Sequence, residues 1–185
     1  MNAEVVRLPR LLVASNGHAE WLAPSSSDTG LLLRDTNLAS LLHHTGRSYP
    51  VAVDLDTVEG LADDDSALHF LIVELGYRIL LTHHAGVASR SADMGALALL
   101  RVYALDTSGL ERSLESHPRR AGVGTVLYPG LVLPHLPEAT LESLPKPLVA
   151  YGLIETPADL AACLAVADSA VVRPELFGVL AQRQR

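Results

Sequence analysis

Short apolar runs recur along the chain, and most of them contain no alternating polar positions. A strand that is covered on both faces has no solvent-facing side, so continuous apolar runs predict the buried strands of a parallel sheet. Helix-type segments separate the runs, which is the alternation of βαβ units. The pattern predicts eight strands, at residues 8–14, 30–33, 50–55, 78–82, 97–101, 124–128, 147–150 and 169–172.

Two of the segments between strands carry clear helix boundaries. Residues 63–76 begin with aspartates that can cap a helix, continue with a buried stripe and end at Gly76, a residue typical of helix C-terminal caps. Residues 156–166 begin with Thr156 as N-cap and Pro157 at the first helical position. Weaker signals predict helices over residues 38–44, 87–94, 107–116, 136–144 and 175–182.

Eight strands alternating with helices predict a small closed (β/α)8 barrel of the TIM type with abbreviated helices. An open doubly wound sheet is the alternative. With 185 residues, the whole chain is expected to form one domain. In a barrel, ligands bind where strands end and loops begin, because that rim collects side chains from several strands.

Composition excludes several functional classes. The formal net charge of −7 disfavours general, non-specific nucleic-acid binding. Cys163 is the only cysteine, so neither an intramolecular disulfide nor a multi-cysteine metal site can form. Lys146 is the only lysine and lies between two prolines, which argues against Schiff-base chemistry. No cofactor is expected.

Membrane and secretory signals are not expected either. No apolar run approaches the ~20 residues that a membrane helix needs. Residues 1–10 have two arginines, but the apolar stretch and cleavage pattern of a secretory signal do not follow them. We therefore expect a cytoplasmic protein without membrane contact, which could form a homo-oligomer.

Polar residues and glycines follow several of the predicted strands. Asp54 and Asp56 are two positions apart, so we expect them to share a face, where they could bind a metal, share a proton or accept hydrogen bonds from a polyol. Arg101 ends an apolar run and could hold a phosphate, form an ion pair with Asp54, Asp56 or Asp106, or do both. The candidate ligand-binding residues are Asp54, Asp56, Glu59, His84, Arg101, Gly130, Gly152 and Arg173.

The adjacent histidines and the residues after the last two strands lead to separate predictions. His83 and His84 are adjacent, so on an extended backbone only one of them would face the cavity, and no metal site is expected. Gly152 would let a phosphate approach the backbone after the seventh strand. Arg173 would either supply charge after the eighth strand or form a surface ion pair.

Five stretches near these strand ends resemble, in order and spacing, the motifs of one known family. They are residues 54–61, 80–84, 100–107, 128–130 and 150–154. The first is similar to His-x-Asp-Leu-Ile-x-Gly-Leu through Asp56, Gly60 and Leu61, and the third to Gln-Arg-x-Phe-x-Leu-Asp-Ser through Arg101 and Asp106. The family is that of the glycerol uptake operon antiterminators, which respond to glycerol-3-phosphate, and the resemblance covers about residues 50–177.

This resemblance implies a barrel-like α/β fold, a small phosphorylated ligand such as glycerol-3-phosphate, and control of transcription termination through leader messenger RNA. It implies no catalysis. Three positions depart from the family: Tyr151 replaces the first glycine of a Gly-Gly pair, His84 replaces a lysine, and residues 171–173 replace a Ser-Thr-Ser loop. For RNA, the basic candidates are Arg112, Arg119, Arg120, Arg183 and Arg185.

Two other functions remain open from the sequence. One is a small barrel enzyme acting on a phosphorylated metabolite, with Asp56 or His84 as general base and Arg101 as phosphate clamp. The other is a barrel that has lost its ligand and serves as an interaction scaffold, which Tyr151 at the phosphate position would favour.

Overall fold

A computed structural model describes residues 6–15 and 28–183 of the chain, apart from the side chain of Arg183. Within these residues, eight parallel strands form a closed barrel: β1 (Leu11–Ser15), β2 (Thr29–Leu33), β3 (Val51–Asp54), β4 (Ile79–Thr82), β5 (Leu97–Tyr103), β6 (Val123–Tyr128), β7 (Leu148–Tyr151) and β8 (Ser169–Val172). Consecutive strands pair with each other. The ring closes where β1 pairs with β8, with Leu11 opposite Ala170. The predicted (β/α)8 barrel is confirmed, and the open sheet is wrong.

Short helices follow most of the strands. They are α1 (Leu38–His43), α2 (Asp65–His69), α3 (Ala85–Asp93), α4 (Thr107–Glu115), α5 (Glu138–Ser143), α6 (Pro157–Leu164) and α7 (Pro174–Arg183). Their capping residues agree with the sequence signals. The Asp64 side chain accepts a hydrogen bond at the start of α2, and Thr156 and Asp159 form a capping box at α6. Within the described residues, none of the helices has the length and apolar character needed to cross a membrane.

The barrel interior is filled by side chains. One buried cluster takes residues from all eight strands at alternating positions: Leu12, Leu32, Ala52, Ile79, Leu81, Leu97, Leu99, Val126, Val149, Tyr151 and Val171. The intervening residues, such as Val13, Val53 and Ala150, pack outward against the helices. Both faces of each strand are therefore covered, which explains why the runs are continuously apolar.

Several local features were not predicted. The predicted strand at residues 50–55 ends at Asp54, because Leu55–Thr57 forms a 3-10 turn. A π-helical stretch, Phe70–Glu74, continues α2, and a 3-10 helix, Gly130–His135, follows β6. Two short parallel strands, Thr36–Asn37 and Val58–Glu59, pair beside the barrel. None of these segments is long enough to show a hydrophobic period, which is the signal used to predict elements from sequence.

Candidate functional site

Side chains along each strand point alternately into and out of the barrel, and this alternation places three polar side chains on the inward face. Asp54 is two residues after the inward Ala52, and Arg101 is two residues after the inward Leu99. Tyr151 belongs to the inward cluster itself. All three lie at the carboxyl ends of their strands, an edge that we call the barrel mouth. This is the face on which barrels of this type bind ligands.

The centre of the barrel mouth is an ion-pair cluster around Arg101. Arg101 Nη2 donates to Asp54 Oδ2 at 2.6 Å, and Arg101 Nη1 lies 3.5 Å from Asp56 Oδ2. The side chain of Asp54 is 1% exposed and that of Arg101 12%. Asp106, the third expected partner, caps α4 by accepting from the Gly109 amide. The two carboxylates therefore meet one guanidinium, as one of the sequence interpretations predicts.

Burial changes the acid–base properties of this cluster. Burial raises the pKa of Asp54, and the Arg101 guanidinium offsets only part of that effect. Burial is the largest influence on the pKa of Arg101 and works against its charged form, but the interactions with Asp54 and Tyr103 together outweigh it and raise the pKa of Arg101. Asp54 Oδ1 is buried and has no hydrogen-bond partner among the described residues. An unpaired buried oxygen is costly, so this atom keeps an unmet capacity to accept a hydrogen bond.

A second arginine, missed by the sequence interpretation, reaches the same place. Arg34 follows β2, and its Nη1 donates to the Tyr151 hydroxyl at 2.5 Å. The guanidinium carbons of Arg34 and Arg101 each lie 5.8 Å from the centroid of the Tyr151 ring. Burial raises the pKa of Tyr151, so the ring stays neutral and presents its π-face to two cations. Strand parity could have found Arg34, because it is two residues after the inward Leu32.

Asp56 has a separate set of partners in the turn after β4. Its Oδ1 accepts from the Thr82 hydroxyl at 2.8 Å, and its Oδ2 accepts from the His83 amide at 2.8 Å. His83 Nδ1 also lies 2.8 Å from Asp56 Oδ2. The rings of His83 and His84 are in contact, with centroids 3.7 Å apart. Of these two histidines, His84 lines the adjacent cavity and His83 does not, as expected, although the backbone bends at His83 rather than remaining extended.

The cavity beside this turn has a volume of about 270 Å³. Asp56, Thr82 and His84 line one part of it, and apolar side chains including Leu55, Leu61 and Val87 line another. His84 thus joins Asp56 at the same opening, as the candidate set predicts.

The other predicted site residues lie apart from the Arg101 cluster. Glu59 is exposed on the short strand Val58–Glu59. Arg173 is exposed and its Nη2 contacts Glu155 Oε1 at 3.3 Å, which is the surface ion pair named as its alternative. Gly130 is buried against the backbone of Ala150 and Tyr151.

Gly152 lies at the barrel mouth, but a side chain already covers it. Its φ is +94°, and a Cβ at this position would collide with the Tyr128 ring. The rings of Tyr128 and Tyr151 meet edge to face with centroids 5.7 Å apart, and Tyr128 meets Tyr103 in the same way at 6.0 Å. These tyrosines form one wall of the barrel mouth, so its chemistry is aromatic and cationic as well as acidic.

Comparison with known proteins gives one family and two related folds. The sequence model of a family described as glycerol-3-phosphate responsive antiterminator matches residues 25–174. The crystal structure of a glycerol uptake operon antiterminator regulatory protein from Listeria monocytogenes is similar with a TM-score of 0.74 and 21% identity, over 90% of this chain and 95% of that one. An antiterminator-related protein of the same operon type from Thermotoga maritima gives 0.75 and 22%, over 93% and 99%. No curated protein sequence matches.

Proposed function

Because the chain belongs to the glycerol-3-phosphate responsive antiterminator family, we propose that it senses a small phosphorylated polyol, glycerol-3-phosphate or a close analogue, at the barrel mouth. The observation that supports this most directly is the pair of guanidiniums, Arg34 and Arg101, whose central carbons both lie 5.8 Å from the centre of the Tyr151 ring. Guanidinium groups recognise phosphate through paired N–H donors, and partly buried ones do so with little screening by solvent.

The carboxylates at the barrel mouth orient Arg101 and can accept hydrogen bonds from the hydroxyl groups of the ligand. Asp54 and Asp56 hold Arg101 in place, so its free N–H groups are already oriented before a ligand arrives. Asp54 Oδ1 is left over as a buried acceptor. A polyol phosphate matches this arrangement, since its phosphate is an anion and its hydroxyl groups are hydrogen-bond donors.

Tyr151 bears on the alternative that the ligand has been lost. Its ring fills part of the barrel mouth, but its hydroxyl is a hydrogen-bonding group and its faces contact both arginines. We infer that Tyr151 orients the cations rather than excluding the ligand. The family is described by a regulatory response and not by a reaction, so the proposal includes no catalysis.

Calorimetric titration of the full chain with glycerol-3-phosphate tests this site. We expect saturable heat at millimolar ligand or below, and an affinity about tenfold lower in Arg34→Met, because one charge-assisted contact is lost. Arg7→Met is the matched control, since Arg7 pairs with Asp28 on the opposite side of the barrel, before β1 and β2. Absence of heat with the wild-type protein would favour the scaffold alternative, and equal losses in both variants would contradict the assigned site.

Control of termination would further require contact with leader messenger RNA. We propose that the turn between α4 and β6 supplies it, because Arg119 and Arg120 are both exposed there. Arg120 forms an ion pair with Asp93, and Arg112 is exposed on α4. Arg185 and the side chain of Arg183 lie outside the described residues.

A gel-shift titration with leader RNA tests the RNA contact. At low salt we expect binding that weakens about tenfold in an Arg119→Glu, Arg120→Glu double variant, because two phosphate contacts become repulsive. Arg7→Glu carries one charge reversal at a distant surface and serves as the control. A double variant that binds as tightly as the wild-type protein would exclude this turn as the contact.

A further inference from the structure

A second chemically distinctive group lies beside the arginine cluster, and its two histidines have no part in the proposed function so far. Asp56, His83 and His84 each offer a ligand atom, and these atoms all lie within 4.8 Å of one another. We propose that the three residues form a binding site for one divalent cation of the zinc class.

The donor set is the first argument. Two imidazole nitrogens and one carboxylate oxygen are ligands that zinc prefers, and three protein ligands leave a coordination position open. The ligand atoms in such a site are about 3.3 Å apart if the metal bonds are about 2.0 to 2.1 Å long and tetrahedral. His83 Nδ1 and Asp56 Oδ2 are now 2.8 Å apart, so the ion would replace the proton between them with a small outward movement.

The backbone of the turn after β4 is the second argument. His83 donates its amide to Asp56 Oδ2, and His84 donates its amide to the Thr82 hydroxyl at 3.1 Å. These bonds fix the bend that brings both rings to one side of the chain. Two consecutive histidines are poor ligands on an extended strand, but here the turn is held before any ion binds.

Carboxylate orientation is the third argument. The Thr82 hydroxyl donates to Asp56 Oδ1 at 2.8 Å, which leaves Oδ2 directed to the histidines. Hydrogen bonds of this kind commonly orient metal ligands. The strongest contact of Arg101 is with Asp54 at 2.6 Å, against 3.5 Å with Asp56. Arg101 is therefore held mainly by Asp54, and Asp56 Oδ2 lies closer to His83 Nδ1, at 2.8 Å, than to Arg101.

Access to the site is the fourth argument. The side chain of His83 is 44% exposed, whereas that of Asp56 is 9% exposed. Asp56 and His84 also line the 270 Å³ cavity, which gives room for the open coordination position. An ion here would have a buried carboxylate on one side and solvent-accessible imidazoles on the other.

Zinc competition on the full-length, EDTA-treated protein tests the proposal without glycerol-3-phosphate. With a chromophoric zinc chelator as competitor, we expect one zinc ion per chain in the wild-type protein. His83→Ala and His84→Ala should each lower the zinc affinity by about tenfold or more, because each removes one ligand. Cobalt substitution should give visible d–d absorption bands that both variants lose.

His43→Ala is the matched control, because His43 is an exposed histidine with a histidine neighbour, on α1 and outside the cluster. It should bind zinc as the wild-type protein does. Asp56→Asn tests the third ligand, and if that variant does not fold, the two exposed histidines still decide the result.

Several outcomes would overturn the site: no zinc bound at millimolar concentration, a loss in only one of the two histidine variants, or an equal loss in His43→Ala. Glycerol-3-phosphate titration of the EDTA-treated protein separates this proposal from the sensor function. A metal site that fails leaves that titration unchanged, and a sensor that fails leaves zinc binding unchanged.

Discussion

Replacing Arg101 with methionine is expected to abolish glycerol-3-phosphate binding and to destabilise the protein by about 3–5 kcal/mol. The reason is that Asp54, 1% exposed, would keep a buried carboxyl group without its 2.6 Å partner. For a chain of this size, a loss of that order lowers the melting temperature by roughly 10 °C. Urea unfolding and calorimetric titration measure the two effects.

Two further variants make the Arg101 result interpretable. Arg101→Lys keeps the positive charge but loses the planar donor pair, so we expect it to fold and to bind the ligand about tenfold more weakly. Arg7→Met removes an exposed pair and should change stability by less than about 1 kcal/mol. An Arg101→Met protein as stable as Arg7→Met would show that the cluster does not hold the barrel mouth together.

Replacing Gly130 with alanine is expected to cost about 2–3 kcal/mol of unfolding free energy. A Cβ at Gly130 would lie 2.8 Å from the carbonyl carbon of Ala150 and closer still to the Tyr151 amide nitrogen. These atoms belong to the backbone of β7, which cannot move without disturbing its pairing with β6 and β8. Denaturant unfolding measures the loss.

Gly178→Ala is the matched control for this substitution. Gly178 lies in α7, and a Cβ there meets no atom within 4 Å. Alanine has the higher helix propensity, so this variant should gain about 0.5–1 kcal/mol. We expect the two substitutions to change the unfolding free energy in opposite directions. A Gly130→Ala variant as stable as the wild-type protein would mean that the β7 backbone moves at this point at little cost.

The closed barrel could be predicted from the sequence because its signal is physical and repeated. Each strand is covered on both faces, which leaves a continuous apolar run, and helix caps such as Thr156 mark the segments between runs. The Asp54–Arg101 pair was also within reach, since each residue ends an apolar run at the same edge of a parallel sheet. Strand ends were misplaced only by short distances.

The rest of the site depends on turns, for which the sequence carries little information. The bend at His83 brings two adjacent rings together. It is fixed by hydrogen bonds that the His83 and His84 amides donate to Asp56 and Thr82, and Asp56 is distant in sequence from the bend. Arg34 follows β2 directly and begins a polar run, residues 34–37, that is typical of an ordinary loop, so its alternation with the inward Leu32 is the one signal that it faces the barrel mouth. Arg173 has the inward parity of its strand, yet it contacts Glu155 at the surface.

The side chain of Tyr151 connects residues from three strands of the barrel. One phenol ring touches guanidiniums that extend from β2 and from β5, while its own backbone belongs to β7. Three strands of the barrel are therefore connected through one side chain. If an anion binds at the proposed site and draws either guanidinium away from the phenol, we expect the loops after β2, β5 and β7 to change together, because this contact connects them.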